Sequence, residues 1–261
     1  MRDNNYIKSL ERGLRILEIF GESSRLLTLT KIANLSNLNK TTTQRFLHTL
    51  CSLGYLNREE GKRYSLGTKI LSLGFSFLNS SNLRTMVKPY LDEFSCELNK
   101  TVNLAVLDNL EILFLYRKEV KKFLNHDLQA GSKLPAYCTA SGKILLAGLS
   151  DEELNKRISE MEFYQVSPKT ITSKDRLWEE IIKTRKRGYS ICDQELSMDL
   201  YSLAVPLINV QGKIVAAFNV SLEARDKEKL DIETIITKLI KKGELISHAL
   251  GYQGPYPQFL S

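Results

Sequence analysis

Thr41, Thr42, Gln44, Arg45 and His48 fall within eight residues of KTTTQRFLHTLCS, and each carries a donor, acceptor or methyl group of the kind that reads a base edge in nucleic acid. Arg45 and Gln44 are suited to pair with bases. The Thr side chains can meet thymine methyls and phosphates, and Lys40 can neutralise a phosphate near the start of a helix. The competing account is a solvated helix face, although such a face more often carries Lys and Glu.

Three other groupings invite chemical readings. In GSKLPAYCTASGKILLAG (131–148) Gly142-Lys143 precedes an apolar run, as in a phosphate loop. The spacing GxxxxGK[ST] is absent, and Ile144 stands where Ser or Thr would meet magnesium, which argues against nucleotide hydrolysis. Cys138 or Ser141 with His126 suggests a nucleophile and base, but no GxSxG elbow and no third orienting residue accompany them, so no catalytic residue is assigned. The same turn reads better as a ligand cradle, in which small residues such as Ala140, Ser141 and Gly142 leave backbone N–H groups for a carboxylate. Its alternative is a helix start packed closely on a strand with no ligand. In GYSICDQELSMDLYSLAVPL (188–207) Asp193, Gln194 and Glu195 sit in an expected loop that leads to an apolar strand carrying Ser202. Such a loop can cover a pocket, or it can be plain solvated surface.

The elements needed to position these residues can be read from periodicity. SLERGLRILEIF (9–20) places Leu10, Leu14 and Leu17 one helical turn apart, with Ile16 and Phe20 widening the stripe. TLTKIANLS (28–36) reads as a shorter helix opened by Thr28 or Thr30, with Ile32 and Leu35 inward. After the turn SNLN, Asn39 is a natural cap for a third helix. At 100° per residue Thr43, Phe46, Leu47, Leu50, Cys51 and Leu53 occupy one half of it. Thr41, Thr42, Gln44, Arg45, His48, Thr49 and Ser52 occupy the other. Gly54 stops it, and two strand-like runs follow around a charged turn at Gly61. Three helices and a charged hairpin make a winged helix-turn-helix pattern, in which Thr30, Lys40 and the polar face of the third helix lie toward DNA. Arg58, Lys62 and Arg63 supply phosphate or minor-groove contacts.

KILSLGFSFLNSS (69–81) is apolar on several sides, which suits a linker helix packed on a partner. From Leu83 onward strands and helices alternate: a helix at 87–99, a hairpin around Asp108-Asn109, helices at 151–161 and 172–188, strands SLAVPLIN and IVAAFNVSLE, and a last helix near 231–250. The expected fold is α+β, with an antiparallel sheet flanked by helices in the C-terminal part. Expected boundaries are a winged helix-turn-helix at 1–67, a linker helix at 68–82 and a sensor domain at 83–261.

Charge and composition agree with a polyanionic partner. The chain of 261 residues carries a formal +7; residues 1–82 contribute +6 and residues 83–261 only +1. Cys51, Cys96, Cys138 and Cys192 lie 40 or more residues apart, no CxxC occurs, and the histidines are three scattered residues, His48, His126 and His248. Neither a metal site nor a disulfide framework is expected, and no cofactor is. No run of apolar residues is long enough for a membrane span and the start MRDNNYIK does not read as a secretory signal, so the expected address is cytoplasmic.

The words YIKSLERGLRIL, KTTTQRFLHTLCSLGYL, LPAYCTASGKILLA and RGYSICDQELSMDLYSLAVPL with VAAFNVS together resemble the isocitrate lyase regulator (IclR) family of bacterial transcription factors, over nearly the whole chain. The resemblance implies an N-terminal winged helix-turn-helix, a linker helix and a GAF-like C-terminal domain that binds a small organic effector. It also implies a homodimer or dimer of dimers on double-stranded DNA with a palindromic operator. DQEL and SLAVP look closest to regulators of aromatic acid catabolism, including protocatechuate and 4-hydroxybenzoate pathways. Carried over by position, the effector pocket would involve Ala140, Ser141, Asp193, Ser202, Asn219 and Ser221. That branch shows Gly and then Arg before the serine, where this chain has Asp199 and Tyr201, so an obvious carboxylate partner is missing from that strand.

Overall fold

The structure is a computed structural model that describes residues 6–22, 26–80, 82–120, 128–257 and 259; His126 lies outside them. The chain divides into two compact units at Ser80/Ser81.

The first unit runs α1 (Lys8–Glu22), β1 (Leu27–Thr28), α2 (Leu29–Leu35), α3 (Lys40–Ser52), β2 (Leu56–Glu59), β3 (Arg63–Leu66) and α4 (Thr68–Ser80). The strands form one small antiparallel sheet in the order β1-β3-β2. Its core is Ile16, Ile19 and Phe20 of α1 with Leu27, Ile32, Leu47, Leu50, Leu56 and Tyr64. That changes two sequence expectations. Leu10 and Leu14 are 59% and 52% exposed within this unit, because α1 has two apolar stripes and the one built from Ile16, Ile19 and Phe20 turns inward. Leu35 is exposed and Ala33 takes the inward place beside Ile32, since the short α2 offers the core only one narrow strip.

Polar groups at the helix ends are satisfied locally. Thr28 Oγ1 accepts from Lys31 N, which settles the cap of α2, and Asn39 Oδ1 accepts from Thr42 N at 2.8 Å. Between the two helices Asn37 takes the left-handed conformation (φ 54°), which Asn tolerates better than most residues. Thr43, polar yet fully buried, donates its hydroxyl to Asn39 O at 2.9 Å, so its inward position leaves no unpaired group.

The second unit opens with α5 (Asn82–Leu98) and continues β4 (Thr101–Asp108), β5 (Glu111–Lys118), β6 (Lys133–Pro135), α6 (Ala140–Ala147), α7 (Asp151–Glu160), α8 (Lys174–Arg187), β7 (Ser190–Asp193), β8 (Leu200–Ile208), β9 (Ile214–Glu223) and α9 (Ile232–Ala249). Six strands make one antiparallel sheet in the order β6-β5-β4-β9-β8-β7. Asp193, expected in a loop, is the last residue of the edge strand β7, which is paired along β8.

Strand alternation divides the buried residues into two layers. Leu203, Val205 and Leu207 of β8 with Phe218, Val220 and Leu222 of β9 pack against α5 and α9, where Phe94 meets Phe218 edge to face at 5.2 Å. The opposite layer packs on α6, α7 and α8 through Ala204, Ala217, Cys138, Ile144, Leu177 and Ile181. On that second side β4, β8 and β9 also carry Asn103, Ser202, Asn219 and Ser221, polar and yet buried. A sheet face that buries four such side chains needs a reason.

Candidate functional site

Two surfaces carry the residues singled out by sequence, one in each unit. In the first, Thr43, Leu47 and Leu50 of α3 are buried, while Lys40, Thr41, Gln44, Arg45 and His48 are exposed together on the opposite side; Leu53, expected on the inward half, is the cap that follows the helix and is 50% exposed. Thr42 is half-buried at the helix start. Thr30 is exposed on α2. Arg58, Lys62 and Arg63 are exposed on the hairpin, whose tip turns through Glu60–Lys62. Ser65 Oγ donates to Glu59 Oε1 at 2.7 Å across the hairpin, so one of its acids is occupied within the wing and the three cations stand outward. A rigid helix with an uncharged and cationic outer face, flanked by a cationic hairpin, is chemically matched to a major groove and its phosphates.

In the second unit the buried polar face of the sheet lines a cavity of about 20 Å³, enough for about one water molecule. Ala140, Ser141, Ser202, Asn219 and Ser221 all border it. Strand register explains the assembly: Asn103 faces Asn219, Thr101 and Ser202 each face Ser221, and Ala204 faces Asn219. Apolar walls come from Ile112, Phe114, Leu128, Leu134, Leu196 and Leu200. Asp193 does not border the cavity. Its carboxylate pairs with Lys227 at 2.8 Å and lies 3.8 Å from Lys169.

The start of α6 is tighter than an open cradle. Thr139 Oγ1 accepts from Gly142 N at 3.1 Å, so that N–H is already used. Glycine is required at 142 because a Cβ there would stand 2.1 Å from the Ala136 carbonyl oxygen. Ser141 is fully buried, and among the described residues its Oγ has no hydrogen-bond partner.

Lys143, next in sequence, points away from any phosphate role. Its ammonium donates to Ile191 O at 2.9 Å and pairs with Glu195 Oε1 at 2.5 Å, with side-chain exposures of 1% and 10%. Burial pushes the Glu195 carboxyl above the ordinary carboxylate range, and the Lys143 charge pulls it back. Thr170 Oγ1 donates to Glu195 O at 2.7 Å and Gln194 Nε2 to Met198 O at 2.7 Å. These bonds hold the turn after β7, and with it Leu196, against the cavity. Cys138 and Cys192 lie beside the pair; burial pushes their thiols up to about 12 and about 11, which leaves them protonated and poor nucleophiles at neutral pH.

Asn103 and Arg117 also border the cavity, and neither was singled out in the sequence. Arg117 Nη1 donates to Asn103 Oδ1 at 2.8 Å, and Asn103 Nδ2 donates to Asn219 Oδ1 at 2.7 Å. The guanidinium can only donate, which fixes the orientation of the Asn103 amide and hence of Asn219. Arg117 was hidden by a β-bulge. Tyr116 faces Leu104 and Phe114 faces Ala105, so Leu115 is the extra residue, and the alternation along β5 changes sides there. Plain period-two reading puts Arg117 opposite Ile112 and Phe114; the bulge brings it to their side.

Comparison with known proteins adds the family. Residues 9–60 match the IclR helix-turn-helix domain, and residues 75–248 match the domain described as Bacterial transcriptional regulator IclR C-terminal. The Pca regulon regulatory protein of Pseudomonas putida is 35% identical over 88% of this chain and 79% of its own length. XynR of Escherichia coli K12 is 32% identical over 94% of this chain and 98% of its own. The p-hydroxybenzoate hydroxylase transcriptional activator of Acinetobacter baylyi is 30% identical over 84% and 82%. Among solved structures, Thermotoga maritima IclR superposes with a TM-score of 0.69 at 28% identity, covering 95% of this chain and all of that one. A helix with a polar and cationic outward face, a cationic hairpin and a buried polar cavity in a separate unit thus occur in a chain that belongs to the IclR family of bacterial transcriptional regulators.

Proposed function

We propose that residues 1–67 dock α3 in the major groove of a palindromic operator, and that residues 83–261 sense a small carboxylic acid, with 68–82 as the link between them. On this reading Gln44, Arg45 and His48 reach base edges, Thr30, Lys40, Thr41 and Thr42 meet phosphates or thymine methyls, and Arg58, Lys62 and Arg63 grip the backbone beside them. The observation that carries it is the complete partition of α3, whose outward side holds base-reading groups and no acid. The protein acts as a homodimer or dimer of dimers on chromosomal DNA in the cytoplasm, as the resemblance to its family implies, and it catalyses no reaction.

The effector site is the cavity bordered by Ala140, Ser141, Ser202, Asn219 and Ser221, with Asp193 at the end of β7 and its lysines Lys169 and Lys227 outside it. An aromatic acid is the favoured effector, since the relatives from P. putida and A. baylyi are named for the pca regulon and for p-hydroxybenzoate hydroxylase. An effector changes operator affinity only by binding one arrangement of the dimer better than another. At about 20 Å³ the cavity must open to admit a ring, and that opening is the structural change available for coupling.

The test is binding of the purified protein to DNA from upstream of its own coding region, across a salt series and with excess nonspecific competitor. Binding that persists under competition, and that shifts when a ring acid is added, is the expected result. Binding that vanishes with competitor and follows salt alone would refute specific recognition.

A further inference from the structure

Resting on that reading of the cavity, we infer that the effector's carboxylate is held by Arg117, working with Ser141, and that it takes a place on the guanidinium which Glu119 occupies in the unliganded protein. Three observations meet here. The Arg117 side chain is only 5% exposed, borders the cavity, and has a buried Nε with no hydrogen-bond partner among the described residues. Ser141 Oγ, on the opposite wall at the start of α6, is buried and likewise without one. Arg117 Nη2 is held by Glu119 Oε1 at 2.6 Å, and that carboxylate is 39% exposed, free to turn back to solvent.

Guanidinium geometry gives the exchange its form. Nε and Nη2 present two parallel N–H groups along one edge, the arrangement that receives a carboxylate through both oxygens. In the protein alone Glu119 takes Nη2, and Nε has no partner among the described residues. A ligand carboxylate takes Nε and Nη2 together, its outer lone pair accepts from Ser141 Oγ, and Glu119 is released. Nη1 stays on Asn103, so the Asn103–Asn219 relay keeps the guanidinium in place throughout. On β8 Tyr201 stands where the resemblance would place an arginine, and the cation arrives instead from β5 across the sheet.

The experiment is calorimetric titration of the full-length protein with pyruvate, benzoate, 4-hydroxybenzoate and 3,4-dihydroxybenzoate, each against its uncharged amide, with folding of every variant checked by circular dichroism. At least one acid binds and its amide does not. Arg117→Gln weakens the acid by about 10- to 100-fold. Arg117→Lys, which keeps the charge and loses the fork, also weakens it. Glu119→Gln tightens it, because an internal competitor is gone; this opposite sign cannot come from misfolding. Ser202→Leu, which fills the cavity, abolishes binding. Loss with Ser202→Leu but wild-type affinity in both Arg117 variants leaves the cavity standing and overturns the assignment of Arg117. Unchanged affinity in Ser202→Leu overturns the cavity itself. Equal binding of acid and amide, or no binding of any acid, overturns the carboxylate.

Discussion

Replacing Lys143 by Met tests how the turn over the cavity is held. The substitution keeps most of the side-chain volume and removes the ammonium that pairs with Glu195 and donates to Ile191 O. Glu195 Oε2 already lacks a partner among the described residues, so the variant leaves a buried carboxylate with no cation. Breaking a buried pair by removing one partner costs about 3 to 5 kcal/mol. Protonation of Glu195 limits that cost at low pH. Burial, now unopposed by Lys143, raises the folded carboxyl further above its unfolded value of about 4.3. Between those two values the native state binds more protons than the unfolded state, so stability falls as pH rises. Urea unfolding can follow this unit alone, because the single tryptophan, Trp178, lies on α8 and packs on its core. The expected result is a smaller loss at pH 5 than at pH 8, with most of it recovered in Lys143→Met/Glu195→Gln. A cost that is equal at both pH values, or absent, would refute the claim that an ion pair holds the turn.

Three further outcomes follow from named contacts. Arg45→Ala should weaken specific operator binding by about 1 to 3 kcal/mol in a band-shift titration, with an unchanged circular dichroism spectrum; unchanged affinity would count against the docking of α3. Gly142→Ala should destabilise the second unit by about 1 to 3 kcal/mol in the same Trp178 assay, because its Cβ would stand 2.1 Å from Ala136 O, a backbone atom that cannot turn aside. Iodoacetamide at pH 8 should modify exposed Cys96 in the native protein and leave Cys138 and Cys192, with thiols near 12 and 11, until the chain is unfolded; mass spectrometry of the peptides reads the order.

Periodicity made the first unit legible down to single residues on α3, because a helix that packs one side against α1 and α2 must separate its residue types every 3.6 positions. It failed on α1, where two apolar stripes compete and only packing decides which turns inward. In the second unit the long strands β4, β5, β8 and β9 were visible from apolar alternation. The strands β1 and β6 were not, since two and three residues carry too little pattern, and β7 was missed because its last residue, Asp193, reads as the start of the polar turn that follows. The cavity was legible where its residues sit in recognisable words, as at Ala140, Ser141 and Ser202. Arg117 was not, because one extra residue, Leu115, moved it across the sheet, and a bulge is a property of two strands that neither strand's sequence displays. Lys143 looked like half of a phosphate loop, and its partner Glu195, 52 residues on, could be found only in the folded chain.

The cavity joins two opposed energies, and separating them would locate the switch. Among the described residues Arg117 Nε and Ser141 Oγ are buried without hydrogen-bond partners, and each such group costs about 1 to 3 kcal/mol, a cost that an incoming carboxylate relieves. Against this stands the closeness of the walls: Ile112, Phe114, Leu196 and Leu200 must part before a ring fits into about 20 Å³. Burying the ring's apolar surface offsets that parting. Acetate has the carboxylate and almost no apolar body, so it satisfies Arg117 with the least parting of the walls. It should therefore compete with a ring acid for the cavity in calorimetric displacement and leave operator affinity unaltered at saturation, whereas the ring acid shifts it. Should acetate shift operator affinity as far as the ring acid does, the walls are passive and the exchange of Glu119 for ligand on Arg117 is itself the event that reaches the DNA.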